Sequence, residues 1–431
     1  MNMDVNVAEG IKEGLIKEGL VKDRLSTNLE RYRGIVEDGT IEEIYLLGEY
    51  LSGLKVQHVN STFVGGGVAE ILNRMVPMFN SLGIDTTWEV IKGDEPFFRV
   101  TKGFHNALQG MDIHFKQEDY GCYLDYNKKN ANEIKIDGDV VFVHDPQPAA
   151  LIEYRNGGNW IWRCHIDISN PNVEAWNFLK RYVVQYDCSI FSSPKFARCD
   201  IPTRQFLVPP SIDPLSDKNK ELSESEIDRV LTKFELKTSK PIITQISRFD
   251  RYKDPAGVIR AFKMVKKHVD AQLVLAGSLA TDDPEGTEVY NEIKSLAQDD
   301  KDIHLLLLPP FSDIEINALQ RASAVVLQKS IKEGFGLTVS EALWKGRPVI
   351  AGDCGGIPLQ IKNGYTGFLT HTIEGTAYKI RYLLNNPKEA KRMGNAGREH
   401  VRRNFLLTRH LRDYLMIIAT IRKKEKVVKF E

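Results

Sequence analysis

Short apolar, β-branched runs recur along the chain, and most lead into a polar or glycine-bearing turn followed by apolar positions at helical spacing. Such runs read as strands buried on both faces of a parallel sheet, since a half-solvated strand would alternate apolar with polar residues. In the first half they are residues 55–61, 139–143 and 160–164. In the second they are 241–246, 271–276, 303–308, 324–328 and 348–351. The stretch 255–269 and a short one at 340–345, stopped by Gly346, read as helices between them. The alternation in the second half predicts an α/β domain built on a doubly wound parallel sheet. Residues 1–53 are polar and helical in spacing, with a stripe through Ile11, Leu15, Leu20 and Leu25. That stripe reads first as a packing face, with a homodimer face left open. A rigid segment at 209–214 before a Ser-, Lys- and Glu-rich stretch marks a domain boundary. The expected organisation is a helical extension 1–53, a first domain 54–212, a second 213–405 and a C-terminal helix 406–431.

Length and composition narrow the class. A chain of 431 residues is too long for one ordinary core, and 42% hydrophobic with 27% charged residues is a globular composition. Lys and Arg number 58, as do Asp and Glu, so no global field favours nucleic acid. No apolar run is long enough to span a bilayer and the N-terminus lacks a signal-peptide core, so the expectation is a cytoplasmic protein with no membrane partner. The odd cysteine count, without a C-x-x-C pair, disfavours a disulfide framework or a structural zinc site.

The turns carry the candidate chemistry. After strand 324–328 comes Glu333-Gly334-Phe335-Gly336-Leu337-Thr338-Val339-Ser340-Glu341, a strand-to-helix turn whose glycines admit a ligand close to the backbone. Glu333 precedes the glycines and Glu341 lies about two turns into the following helix, so the pair can meet different hydroxyls of an extended ligand. Read alone, each is a surface acid. After strand 55–61, Gly65-Gly66-Gly67 opens another helix; it is not a G-x-G-x-x-G fingerprint, which leaves a dinucleotide reading weak. The strands at 139–143 and 160–164 deliver His144-Asp145 and His165-Ile166-Asp167 to the rim where open α/β sheets bind ligands. Asp167 reads equally as a helix N-cap. Arg248 and Lys253, following strand 241–246, suit a pyrophosphate as a planar fork and a mobile point charge. No H-x-x-x-H spacing supports a metal.

Arg248 and Lys253 followed by Glu333 and Glu341 around Gly-Phe-Gly resemble the retaining GT-B glycosyltransferases of family 4. Stretches 58–70, 104–110, 144–151, 162–167 and 209–215 are similar to the trehalose-synthesising branch of that family, which includes trehalose phosphorylases. The resemblance implies two Rossmann-like domains facing across a cleft, with the last helices crossing back onto the first. It implies glucose transfer from a nucleoside diphosphate glucose to glucose. On that footing Arg248 and Lys253 would hold the diphosphate, Glu333 the donor glucose and Glu341 the ribose. Phe335, Gly336 and Leu337 would close around sugar and phosphate, Gly66 and Gly67 would face the diphosphate, and His165 would bond the donor glucose. Asn106, Gln109, His144 and Asp167 would take further sugar hydroxyls. No resident cofactor is implied, and an auxiliary magnesium ion is left open. The family often has Gly where Asp254 stands, which makes the phosphate loop a point to inspect. A phosphorylase, another small acceptor and a non-catalytic nucleotide-sugar sensor are the competing readings.

Overall fold

A computed structural model describes residues 28–422 apart from 64–65, 279–283 and 299. The stripe through Ile11, Leu15, Leu20 and Leu25, together with Gly65, Asp282, Asp283, Lys423 and Lys424, lies outside the described residues.

Two six-stranded sheets form the molecule. The first contains β1 (Lys55–Asn60), β2 (Asp85–Val90), β3 (Val140–His144), β4 (Asn159–Cys164), β5 (Cys188–Phe191) and β6 (Arg204–Leu207), in the order β2-β1-β3-β4-β5-β6. The second contains β7 (Ile242–Ile246), β8 (Gln272–Gly277), β9 (Ile303–Leu307), β10 (Val325–Gln328), β11 (Val349–Gly352) and β12 (Gly367–Thr370), in the order β12-β11-β10-β7-β8-β9. Every pairing within the sheets is parallel, as the continuous apolar runs require. This is the GT-B architecture. Strands β2, β5, β6 and β12 were not marked by the sequence pattern. Three of them are sheet edges, where partial solvation dilutes the apolar signal; the fourth, Cys-Ser-Ile-Phe, is simply short.

Strand order reverses between β1 and β3 in the first sheet and between β7 and β10 in the second. Loops leaving the two strands at such a point splay apart and open a crevice at their carboxyl ends. The Gly66–Ser81 helix follows β1, the Arg248–Lys253 segment follows β7, and the Gly-Phe-Gly turn follows β10. Topology alone therefore gathers the chemistry-bearing turns.

The helix after the glycines runs Leu337–Trp344, three residues earlier than expected, because Gly336 at φ 81° makes the left-handed turn that lets it begin at once. Glu341 is the fifth residue of this helix, a little over one turn in and not two. At the other end of the chain, helix Leu407–Arg422 lies against helices Asp38–Leu51 and Gly66–Ser81. Leu411, Tyr414, Leu415 and Ile418 join Ile41, Ile44, Met75 and Phe79 in one apolar cluster. Where the chain leaves the first sheet, Ile212 donates to Phe405 O at 2.9 Å and accepts from Leu407 N at 3.0 Å, so outgoing and returning segments are bonded side by side.

Candidate active site

On the second sheet, Gln245 near the end of β7 ties two loops together. Its Nε2 donates to Lys253 O at 2.9 Å and its Oε1 accepts from Lys329 N at 2.9 Å. Asp250 Oδ1 accepts from Lys253 N at 3.1 Å, closing the turn that turns Lys253 back toward β10. Lys253 Nζ then donates to Glu333 Oε2 at 2.6 Å, with both side chains largely buried. Gln328 Nε2 and Ser330 Oγ reach the same oxygen at 3.2 Å each. All three donors use Oε2, none Oε1. Arg248 stands apart: its side chain is 66% exposed, with Asp250 Oδ2 at 3.7 Å. The two cations expected for a diphosphate therefore differ in the ligand-accessible charge they offer.

Asp254 answers the question raised by its departure from glycine. Its φ is +45°, in the left-handed region, which Asp tolerates better than most residues; its Oδ1 accepts from Gly257 N at 2.9 Å and caps helix Pro255–Lys266. Lys329 pairs with its other oxygen. The loop keeps a glycine-like backbone with a carboxylate on it.

The turn itself is wedged in place. Gly356 N donates to Gly334 O at 3.0 Å, and a Cβ on Gly355 would lie 1.6 Å from Glu333 O. Phe335 is buried with its ring 5.6 Å from Phe405, and Gln360 Nε2 holds its carbonyl. Glu341 is only 4% exposed. Burial raises its carboxyl above the ordinary range, against the pull of Lys218, whose Nζ is 3.8 Å away and also bonds Glu70 at 2.7 Å. One turn on, Lys345 is buried against Asn219 Oδ1 (3.0 Å), and desolvation pushes its ammonium down to about 7.

The first sheet meets this turn directly. A Cβ on Gly67 would be 2.9 Å from Leu337 Cδ1, so the starts of two helices, Gly66–Ser81 and Leu337–Trp344, approach one another across the cleft. A Cβ on Gly334 would be 3.1 Å from His165 O. At Gly334 the near atom belongs to the backbone, which leaves little room for a side chain there. His165 is half-buried; its N–H donates to Asp145 Oδ1 at 2.7 Å, and its ring bonds His144, whose own ring bonds His58. Asp145 holds φ +65°, and burial lifts its carboxyl to about 6.

Asn106 and Gln109 lie at the end of helix Glu95–Leu108, half-buried. Gln109 O accepts from Lys332 Nζ at 2.8 Å, a bond that spans the cleft. Asp167 is not a helix cap: its Oδ1 accepts from Ser169 N and Oγ at 2.9 and 2.6 Å, closing a local turn, while Asn172 caps helix Val173–Val183. His105 sits near the exposed guanidinium; burial first, then the charges of Arg248 and Lys102, hold its imidazole down at about 4. Lys218, Lys332, His58 and His105 stand beside the candidate residues, and the sequence pattern did not single them out. The Gly355-Gly356 pair after β11 was the one legible signal left unused. Among the described residues no group of three or more His, Cys, Asp or Glu is arranged to hold a metal ion, and no helix is long and apolar enough to cross a membrane. A cavity of about 440 Å³ between Pro214, Leu215, Trp344 and Arg398 takes in none of the cleft residues.

Residues 58–198 match the family model for the trehalose synthase N-terminal domain, and residues 226–400 match that for glycosyl transferases group 1. A trehalose synthase of Pyrococcus horikoshii is 46% identical over 399 residues, 91% of this chain and 96% of the relative. The chain belongs to the trehalose synthase family of glycosyltransferases. A member from Rubrobacter xylanophilus is 45% identical over 403 residues, covering 91% of this chain and 97% of its own. Further off, a trehalose phosphorylase of Pleurotus pulmonarius is 31% identical over 438 residues, which are 88% of this chain but 59% of the relative. Among solved structures, an α,α-trehalose 6-phosphate synthase from Burkholderia multivorans superposes with a TM-score of 0.68 at 15% identity, covering 86% and 98% of the two chains. A sucrose-phosphate synthase from Thermosynechococcus elongatus gives 0.67 at 17%, covering 85% and 99%. These two likenesses show the shared fold.

Proposed function

We propose that this glycosyltransferase moves glucose from a nucleoside diphosphate glucose to free glucose, giving α,α-trehalose with retention at the anomeric carbon, and that it runs in both directions. The observation that carries the reading is the Lys253–Glu333 pair at the reversal point of the second sheet, with His165 brought against the same turn through Gly334. Arg248 and Lys253 take up the charge of the departing diphosphate, which lowers the barrier to its departure. Glu333 accepts from donor glucose hydroxyls, His165 bonds the donor glucose, and Glu341 takes the ribose. Gly66, Gly67, Phe335, Gly336 and Leu337 give the diphosphate and sugar backbone to lie against. Asn106, Gln109, His144 and Asp167 remain the sugar-side set. Of these, His144 acts through His165, to which its ring is bonded.

In the reaction, the bond from the anomeric carbon to the diphosphate oxygen breaks. The acceptor hydroxyl oxygen bonds the same carbon from the same face, and its proton passes to the leaving phosphate oxygen. No protein nucleophile is required, so the closely spaced carboxylate pair of a retaining glycosidase is not needed.

The test is a product assay. The protein is incubated with ADP-, UDP- or GDP-glucose and glucose, with and without EDTA, and in parallel with trehalose and inorganic phosphate. Trehalose and nucleoside diphosphate formed in equal amounts support the reading. Glucose 1-phosphate from the parallel arm alone would move the function to the phosphorylase, which the similarity to the Pleurotus protein keeps in view. Silence in both arms would overturn both.

A further inference from the structure

Three histidines stand on three neighbouring strands and form a continuous chain of ring-to-ring hydrogen bonds. His58 lies within β1, His144 ends β3 and His165 follows β4. His58 Nδ1 is 3.0 Å from His144 Nε2, and His144 Nδ1 is 2.9 Å from His165 Nε2. Burial holds all three imidazoles neutral, well below their ordinary range.

A neutral imidazole carries one N–H and one lone pair. The middle ring therefore decides the other two. If His144 is protonated on Nδ1, it donates to His165 Nε2 and accepts from His58 Nδ1. All three rings are then Nδ1–H, and His165 offers an N–H on its remaining nitrogen. If His144 is protonated on Nε2, every tautomer reverses, and His165 offers a lone pair. No mixed arrangement keeps both bonds.

The far end of the chain chooses between the two. His58 Nε2 is buried without a hydrogen-bond partner. Its ring lies nearly parallel to Phe142, at 4.8 Å and 14°, and to Tyr414, at 6.4 Å and 29°. An N–H in the ring plane would aim at neither of these two faces; Phe79, tilted by 55°, stands farther off than Phe142, with its ring centre 6.2 Å away. An orphaned buried N–H is rarer in folded proteins than an under-satisfied acceptor, so Nε2 is the bare lone pair. We propose that His58 and His144 are positioning residues that lock His165 as its Nδ1–H tautomer, making it a hydrogen-bond donor at the cleft. That the donated bond goes to an oxygen of the donor sugar rests on the function proposed above; the lock itself does not.

The experiment uses the full chain labelled with ¹⁵N-histidine and reads the protonated nitrogen of each ring from two-bond proton–nitrogen correlations. The expected result is Nδ1–H at His58, His144 and His165, the opposite of the Nε2–H form that free histidine favours in water. Nε2–H at His165 in the parent protein would overturn the proposal. His144→Asn places an amide N–H where Nδ1–H was, and is expected to keep His165 as Nδ1–H with most of the turnover. His144→Leu removes the donor, and is expected to shift His165 toward Nε2–H and to slow turnover about tenfold, the worth of one net hydrogen bond. An unchanged His165 tautomer in the leucine variant would also overturn the proposal; should that variant not fold, the parent and asparagine spectra decide. Adding nucleoside diphosphate glucose separates the two levels of the argument: Nδ1–H with unmoved nitrogen shifts supports the lock and removes His165 from the sugar site.

Discussion

The Lys253–Glu333 pair is the site's most constrained contact. Under the proposed function Lys253 offers a charge that a departing diphosphate would draw on, but Glu333 holds it at 2.6 Å. Gln328 and Ser330 bond the same carboxylate oxygen, so Glu333 is fixed even when Lys253 moves toward a phosphate. Lys253→Met is expected to reduce kcat/KM by about 10²–10³-fold, the usual cost of losing one preorganised charge-stabilising group, while the circular dichroism spectrum is kept. Parent-like kinetics in that variant would remove Lys253 from the chemistry. Arg248 and Lys253 were singled out because they follow the end of β7, and Glu333 and Glu341 because they flank the Gly-Phe-Gly turn after β10. His58 was not, because a histidine inside an apolar strand looks like any satisfied core residue. Lys218 and Lys332 were hidden for the opposite reason: each sits in a polar stretch where a lysine is ordinary, and only the folded chain shows that one reaches Glu70 and the other Gln109 O.

At the scale of elements, the turns matter more than the helices and strands they join. Asp254 combines a left-handed backbone with the cap of helix Pro255–Lys266. Replacing it separates these duties. Asp254→Gly keeps the conformation and is expected to cost less than about 1 kcal/mol in urea unfolding, since glycine is itself a tolerable N-cap. Asp254→Ala loses the cap and strains the backbone, and is expected to cost roughly 2–3 kcal/mol. Equal losses would mean that the Lys329 pair, absent from both variants, dominates instead. The helix after Gly-Phe-Gly teaches the same lesson. Its β-branched Thr338 and Val339 stand in the first turn, and the helix nonetheless begins at Leu337 because Gly336 sets the entry angle.

The whole molecule is two parallel sheets whose reversal points face each other, held by a returning C-terminal helix. Continuous apolar runs announced the central strands apart from the short β5, and the edge strand β9 with them; the other edges, β2, β6 and β12, gave little pattern, because one side of each lacks a partner. The interior carries a predictable pH response. His58 is held at about 3 against an ordinary 6.5, so between those values the unfolded chain binds more protons than the native one. Stability therefore falls as pH falls through that window, and His58 alone removes about 2 kcal/mol between pH 6.5 and 5. His144, His165 and His410, lowered by burial, act in the same direction. Asp145, raised to about 6, and Glu341, also raised, oppose them over part of the range. The midpoint of urea unfolding is expected to drop clearly from pH 7 to 5; a flat profile would mean that these imidazoles take up protons in the native state.

The most direct test of glucosyl transfer with retention is a proton NMR time course of the protein with an α-linked nucleoside diphosphate glucose and ¹³C-labelled glucose. The expected early product joins labelled and unlabelled rings through two α-anomeric carbons and appears as nucleoside diphosphate is released. A β-linked first product, or hydrolysis to free glucose without a disaccharide, would contradict it.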